Sequence, residues 1–246
     1  MKNAPLLLIS GWAHGEEALR PVAEAMAGSW PIACLSLASA GLGHETEEDI
    51  SSYARTVSSH LDKWGGPACI VGWSTGGVVA IETAARYPEK VTCLVLLSAT
   101  ARFCSADGYT TGVKPAVLRA MIRGLKRNPQ TVVSDFISRA LYPLNVGQDV
   151  LAKRTQAALA AGTDSLALGL EYLARADFRR DLVSIALPCL IIHGGQDMIV
   201  PCEAGRYLNA NLRLSRIELL PSAGHCLIEQ CGDGVIRRIA QFVEDL

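Results

Sequence analysis

Ala68-Cys69-Ile70-Val71-Gly72-Trp73-Ser74-Thr75-Gly76-Gly77 is the stretch on which the reading of this chain turns. Its first four residues form an apolar run of strand type, and residues 77–87 carry the three-to-four-residue apolar spacing of a helix. Between them, Gly72-Trp73-Ser74-Thr75-Gly76 places a serine on a tight strand-to-helix turn. Such an elbow projects the hydroxyl above the end of a sheet, and its glycines permit backbone angles and close approaches that side chains would block. The bare pentapeptide is a weak signal, and its context between strand and helix is what strengthens it. A serine at this point also fits a plain helix N-cap that satisfies a free backbone N–H.

Working outward, apolar runs of the same kind recur at 6–9, 32–37, 92–97, 189–193 and 217–220, while helical spacing marks 17–26, 50–64 and 234–246. Strand and helix alternating in this way predict βαβ units, hence an α/β fold with a mostly parallel sheet and helices on both faces. One interval breaks the alternation. Roughly ninety residues separate the strand ending near Ser98 from the one opening at Cys189, too many for a loop. Within it, 115–127, 131–141, 149–161 and 164–175 each have helical apolar spacing. This predicts one domain over 1–246 with a helical cap inserted at approximately 103–182. The cap is expected over the carboxyl ends of the strands, where α/β sheets bind ligands.

The 246 residues are enough for a sizeable core, and half of them are hydrophobic. A net charge of -1 gives no general case for nucleic acid, so any electrostatic partner must meet a local patch. The eight cysteines are scattered, several inside strand-like runs, as buried reduced thiols would be. No metal-ligand spacing is present, and no cofactor is expected. The apolar run at 6–9 is too short for a secretory signal or a membrane span, which predicts a cytoplasmic protein, monomeric and without a membrane partner.

A serine hydroxyl is a poor nucleophile until a base takes its proton, and that base works best when an acid orients it. Of five histidines, only His225 lies in a loop directly after a predicted strand near the C-terminus, in Ser222-Ala223-Gly224-His225. Asp197 holds the equivalent place after the preceding strand, in His193-Gly194-Gly195-Gln196-Asp197. The order Ser74, Asp197, His225 is the one that accompanies an elbow serine. Taken singly, Asp197 also suits a turn shaped with Gly194 and Gly195, and His225 a loop histidine with a local hydrogen bond. An acyl-transfer site further needs amide donors for an oxyanion. The Thr75 amide is one candidate, and Trp12, in Ser10-Gly11-Trp12-Ala13-His14, is the other. The Trp12 ring fits equally a core aromatic or a pocket wall. His14 borders the expected pocket; for it, for His44 in the turn at 41–44, His60 on a polar helical stretch, and His193 at the end of a buried strand, structural roles are favoured. Cys226 beside His225 reads as a packed neighbour.

These residues resemble the α/β-hydrolase superfamily over essentially the whole chain, and within it the pimeloyl-[acyl-carrier protein] methyl ester esterases of biotin synthesis. The narrower likeness rests on Gly11-Trp12, Gly72-Trp73-Ser74-Thr75-Gly76-Gly77, Phe103-Cys104-Ser105-Ala106-Asp107, the run at 112–118, the run at 173–179, and Asp197-Met198-Ile199-Val200-Pro201. The resemblance implies a serine carboxylesterase that hydrolyses the methyl ester of a pimeloyl chain held on acyl carrier protein. It carries over Ser74, Asp197 and His225 as the triad, the amides of Trp12 and Thr75 as the oxyanion hole, and Phe136 as an aromatic of the acyl channel. Phe136 also reads as a core residue of the cap. The chain departs from the family at Ser10-Gly11, where many relatives have His-Gly, and at Asp135, where a basic residue is expected. The alternatives are a generalist short-chain carboxylesterase, or a non-catalytic ligand-binding protein of this fold.

The cap's charge bears on the partner. From Lys114 to Arg139, Lys114, Arg119, Arg123, Lys126, Arg127 and Arg139 stand against Asp135 alone, a local balance of +5. Arg119, Arg123 and Arg127 follow at four-residue steps and so share one helix face. A solvated helix face would look the same. An acidic partner such as acyl carrier protein would be steered to it.

Overall fold

The computed structural model describes residues 4–38 and 52–246. Six strands, β1 (Leu6–Ile9), β2 (Ile32–Leu35), β3 (Ala68–Trp73), β4 (Val91–Leu97), β5 (Cys189–Gly194) and β6 (Ser215–Leu220), form one sheet in the order β2-β1-β3-β4-β5-β6. Every pairing is parallel. The four central strands are almost wholly buried, as expected where helices cover both faces and the strand sequence is continuously apolar. The three cysteines Cys69, Cys93 and Cys189 lie on adjacent central strands as buried free thiols.

Between the strands run α1 (Arg20–Met26), α2 (Ser52–Trp64) and α3 (Thr75–Arg86), and after β5 come α8 (Cys202–Asn211) and α9 (Leu227–Glu244). α1 packs with α9, and α2 with α3. The helix expected at 17–26 is divided, with a 3-10 turn over Glu16–Leu19 preceding α1. The final helix starts seven residues earlier than its periodicity suggested and kinks at Cys231. The turn at 41–44, with His44, and the first residues of the helix expected at 50–64 lie outside the described residues.

Four helices occupy the interval between β4 and β5: α4 (Pro115–Arg127), α5 (Pro129–Leu141), α6 (Gln148–Leu159) and α7 (Thr163–Arg175). α4 packs on α5 and α7, and α5 on α6. The segments leaving and rejoining the sheet run side by side, since Phe178 N–H donates to the Ala101 carbonyl and Asp177 accepts from both Arg102 and Arg179. The insert is tied to the sheet domain at further points. The Trp12 indole N–H donates to the Leu166 carbonyl at 2.8 Å, the Tyr172 hydroxyl to the buried Glu82 of α3 at 2.8 Å, and Arg154 of α6 forks onto Glu229 of α9 at 2.6 and 2.7 Å.

Candidate active site

Parallel strands deliver all their following loops to one edge of the sheet. The loops after β1, β3, β5 and β6 meet there. β1 and β3 are neighbours, with Ile9 beside Gly72, so the loop at 10–14 comes down next to Ser74. Asp197 and His225 follow β5 and β6 and reach back over β4.

Ser74 has φ 56° and ψ -120°, a positive-φ conformation that non-glycine residues avoid. Its side chain makes no N-cap hydrogen bond, so the plain capping alternative does not describe it. The turn is this tight because Gly76 lies directly on β1: a Cβ there would stand 2.2 Å from the Ile9 carbonyl oxygen. The freed hydroxyl oxygen lies 2.9 Å from His225 Nε2, and His225 Nδ1 lies 2.8 Å from Asp197 Oδ2. His225, Asp197 and Ser74 are all buried. Asp197 Oδ1 accepts the amides of Ile199 and Val200, both at 2.8 Å. Asp197 therefore shapes its own turn and faces His225 at the same time, so the two readings of that residue coexist. Burial alone would raise its carboxyl, but the His225 charge, followed by hydrogen bonds from His193 and His225, holds it well below the usual carboxylate range.

The amides of Trp12 and Thr75 border Ser74, and among the described residues no hydrogen bond occupies either one. Their loop is held locally. The Ser10 hydroxyl donates to the His14 carbonyl at 3.1 Å, and His14 Nδ1 pairs with the Trp12 carbonyl at 2.9 Å, bracketing Ala13 at φ 60°. Ser10, one of the departures noted above, thus closes the loop. The Trp12 ring is buried and meets Phe136 edge-on, centroids 4.6 Å apart, so it is both a core aromatic and a cavity wall. Phe136 likewise is buried in α5 and lines the cavity beside Ser74.

That narrow cavity shares Phe103, Met121, Phe136 and Ile199 with a wider groove, whose outer walls carry Val117, Met198, Asp135 and Arg139. Those four side chains form a common wall between the serine and the surface groove of α4 and α5. Arg119, Arg123 and Arg127 are exposed on α4, and Arg139 is exposed on α5 at the groove. Among the described residues none of the four makes an ion pair. Asp135 is also exposed and faces the groove.

Several site residues went unseen in the sequence. Trp73 donates its indole N–H to the His225 carbonyl at 2.9 Å and packs between the rings of His14 and His225. Gln230 joins the Gly224 amide to the carbonyls of Leu141 and Tyr142. The place of Trp73 directly before Ser74 in the elbow was the signal for the first; nothing local marked the second. Cys226 is buried, and burial pushes its thiol up, as suits a packed neighbour. His60 packs on Trp64 rather than standing in solvent. Among the described residues, no cluster of three or more His, Cys, Asp or Glu is placed to hold a metal ion, and no helix is long and apolar enough to cross a membrane.

Residues 6–238 match the alpha/beta hydrolase family. The chain belongs to the alpha/beta hydrolase family. Among curated members it is similar to the pimeloyl-[acyl-carrier protein] methyl ester esterase of Neisseria meningitidis serogroup C, 29% identical over 96% of this chain and 92% of that one. The protein of the same name from Vibrio cholerae is 27% identical over 96% and 93% of the two chains. Among solved hydrolase-fold structures, an esterase from Exiguobacterium antarcticum superposes with a TM-score of 0.88 at 18% identity, covering 99% of this chain and 93% of that one. A bromoperoxidase from Bacillus anthracis gives 0.87 at 18% identity, over 98% and 92%. These two likenesses bear on the fold alone.

Proposed function

We propose that this alpha/beta hydrolase is a serine carboxylesterase that cleaves the methyl ester of a pimeloyl chain carried on acyl carrier protein, releasing methanol and the free ω-carboxylate. The observation that carries the reading is that the Ser74 cavity shares a wall of four side chains, Phe103, Met121, Phe136 and Ile199, with a surface groove lined by Arg139. In this reading the acyl chain lies in the groove and reaches Ser74 past those four side chains, while a bulky acidic carrier stays at the surface. The names of the relatives support the same substrate.

In this reading, His225 Nε2 takes the Ser74 proton as Oγ attacks the ester carbonyl, and the amides of Trp12 and Thr75 receive the oxyanion. His225 returns the proton to the departing methanol. Water then attacks the acyl-serine by the same route, and His225 gives the proton back to Oγ. Asp197 keeps His225 Nδ1 protonated and stabilises the imidazolium. Trp12 and Phe136 wall the acyl chain.

The test compares kcat/KM for pimeloyl-carrier methyl ester with that for free short-chain esters. A preference for the carrier substrate, together with restored biotin-free growth of cells lacking the methyl esterase, supports the reading. Equal or better use of short esters, with no rescue, replaces it with a generalist esterase. Failure of a fluorophosphonate to label Ser74 would remove the serine mechanism itself.

A further inference from the structure

Two histidines face the Asp197 carboxylate. His193 ends β5 fully buried, its Nε2 pairing with the Val200 carbonyl at 2.9 Å and standing 3.5 Å from Asp197 Oδ2. That is the oxygen which also accepts from His225 Nδ1. The opposite edge of the His193 ring is closed. Its Nδ1 is buried without a hydrogen-bond partner and faces Gly205, where a Cβ would come within 2.7 Å of it. An imidazole in this setting carries its hydrogen on Nε2, because a hydrogen on Nδ1 would be buried unpaired and would leave the Val200 carbonyl without its donor.

We infer that His193 is a positioning residue for the proposed reaction, its Nε2 edge standing beside Asp197 Oδ2 and moderating how strongly the carboxylate holds the imidazolium that His225 becomes. The inference rests on the triad roles proposed above. The positive N–H edge of His193, 3.5 Å from Oδ2, stabilises the carboxylate whether or not His225 is charged, so less of that charge is left to favour protonated His225. His193 also braces the turn. Its ring holds the Val200 carbonyl while Asp197 Oδ1 holds the Val200 amide, so the segment from 197 to 200 is fixed from both sides. The depressed Asp197 carboxyl agrees with a second donor.

The titratable groups around this pair are few. Asp197 faces His225 and His193 and feels the Cys226 thiol. His225 faces Ser74 and Asp197 and feels His14 across the Trp73 ring, with the Arg154–Glu229 pair beyond His14. Among these, His193 and His225 are the groups that approach Oδ2.

The test follows His225 itself by NMR of its imidazole nitrogens through an acid titration, in wild type, His193→Phe, His193→Leu and His193→Gln. The Phe and Leu variants remove the donor, whereas Gln keeps an amide N–H. The His225 titration is expected to move up by about half a pH unit in Phe and Leu and to return toward wild type in Gln. The acidic limb of kcat/KM for a p-nitrophenyl ester is expected to move with it. Should neither apolar variant fold, Gly205→Ala crowds Nδ1, displaces the ring, and is expected to raise the titration likewise. A wild-type His225 titration in the folded variants overturns the inference. Because NMR needs no turnover, absent esterase activity in wild type would sink the proposed function alone, and an unmoved titration this inference alone.

Discussion

At the scale of single residues, the site depends on a few atoms held in unfavourable states. Ser74 keeps a positive φ, a conformation that costs on the order of 1–3 kcal/mol elsewhere and persists only where surroundings enforce it. Ser74→Ala should leave the fold intact and lower kcat about a millionfold, measured with a p-nitrophenyl ester. Retention of near wild-type turnover would refute the nucleophile. His14 offers a test by pH. Burial lowers its imidazole to about 4, against the opposing pull of the Trp12 carbonyl and with the His225 charge adding to the lowering. An unfolded histidine takes up its proton near about 6.5, so between those values the unfolded chain binds more protons than the folded one. Stability therefore falls as pH drops from about 6.5 to 4. In His14→Leu, urea unfolding at neutral and at mildly acid pH should show a smaller loss than in wild type. Equal losses would mean that His14 carries none of that slope.

At the scale of elements, the decisive contact joins the histidine loop to the end of α5. A Cβ on Gly224 would lie 1.8 Å from the Tyr142 carbonyl oxygen, and Gln230 bridges the Gly224 amide to the Leu141 and Tyr142 carbonyls. The helix that carries Phe136 and Arg139 thus abuts the residue before His225. Gly224→Ala should destabilise the protein by about 3 kcal/mol through overpacking of backbone against backbone, read from the urea midpoint. Gln230→Met, of similar volume, should reduce kcat for every ester while leaving KM nearly constant, because it loosens His225 rather than the groove. A change confined to KM would argue that Gln230 serves the substrate path.

At the scale of the whole molecule, net charge is -1 while 114–139 carries +5, its basic side chains are exposed, and Arg139 lines the groove that shares a wall with the Ser74 cavity. Such a local field steers an acidic partner and is screened by salt, with a Debye length of about 8 Å at physiological ionic strength. Reversing Arg119, Arg123 and Arg127 to Glu together should lower kcat/KM for the carrier-linked ester at least tenfold at low salt, by roughly one rim charge's worth of steering each. The difference should shrink as salt rises. Hydrolysis of a short soluble ester should be unchanged. Equal carrier turnover by the variant at low salt would place the docking elsewhere.

Much of this architecture was legible in the chain itself. All six strands lie where short, mainly apolar runs stood, and α4 occupies 115–127 as its spacing indicated, because burial on both faces or on one stripe writes directly into periodicity. α8 escaped because it is short and carries only Ala204, Gly205 and Leu208 as buried residues. The start of α9 was hidden by Gly232 and Gly234, poor helix formers, and by the kink at Cys231. For the site, an elbow serine followed by an acid and a histidine after later strands was readable, since a parallel sheet sends every such loop to the same edge. The sequence could not say that His193 stands beside Asp197, that His14 braces the Trp12 loop, or that Gln230 ties the histidine loop to α5. Those contacts join different loops and elements or depend on ring orientation, and local patterning carries no information about which side chains meet once the chain has packed.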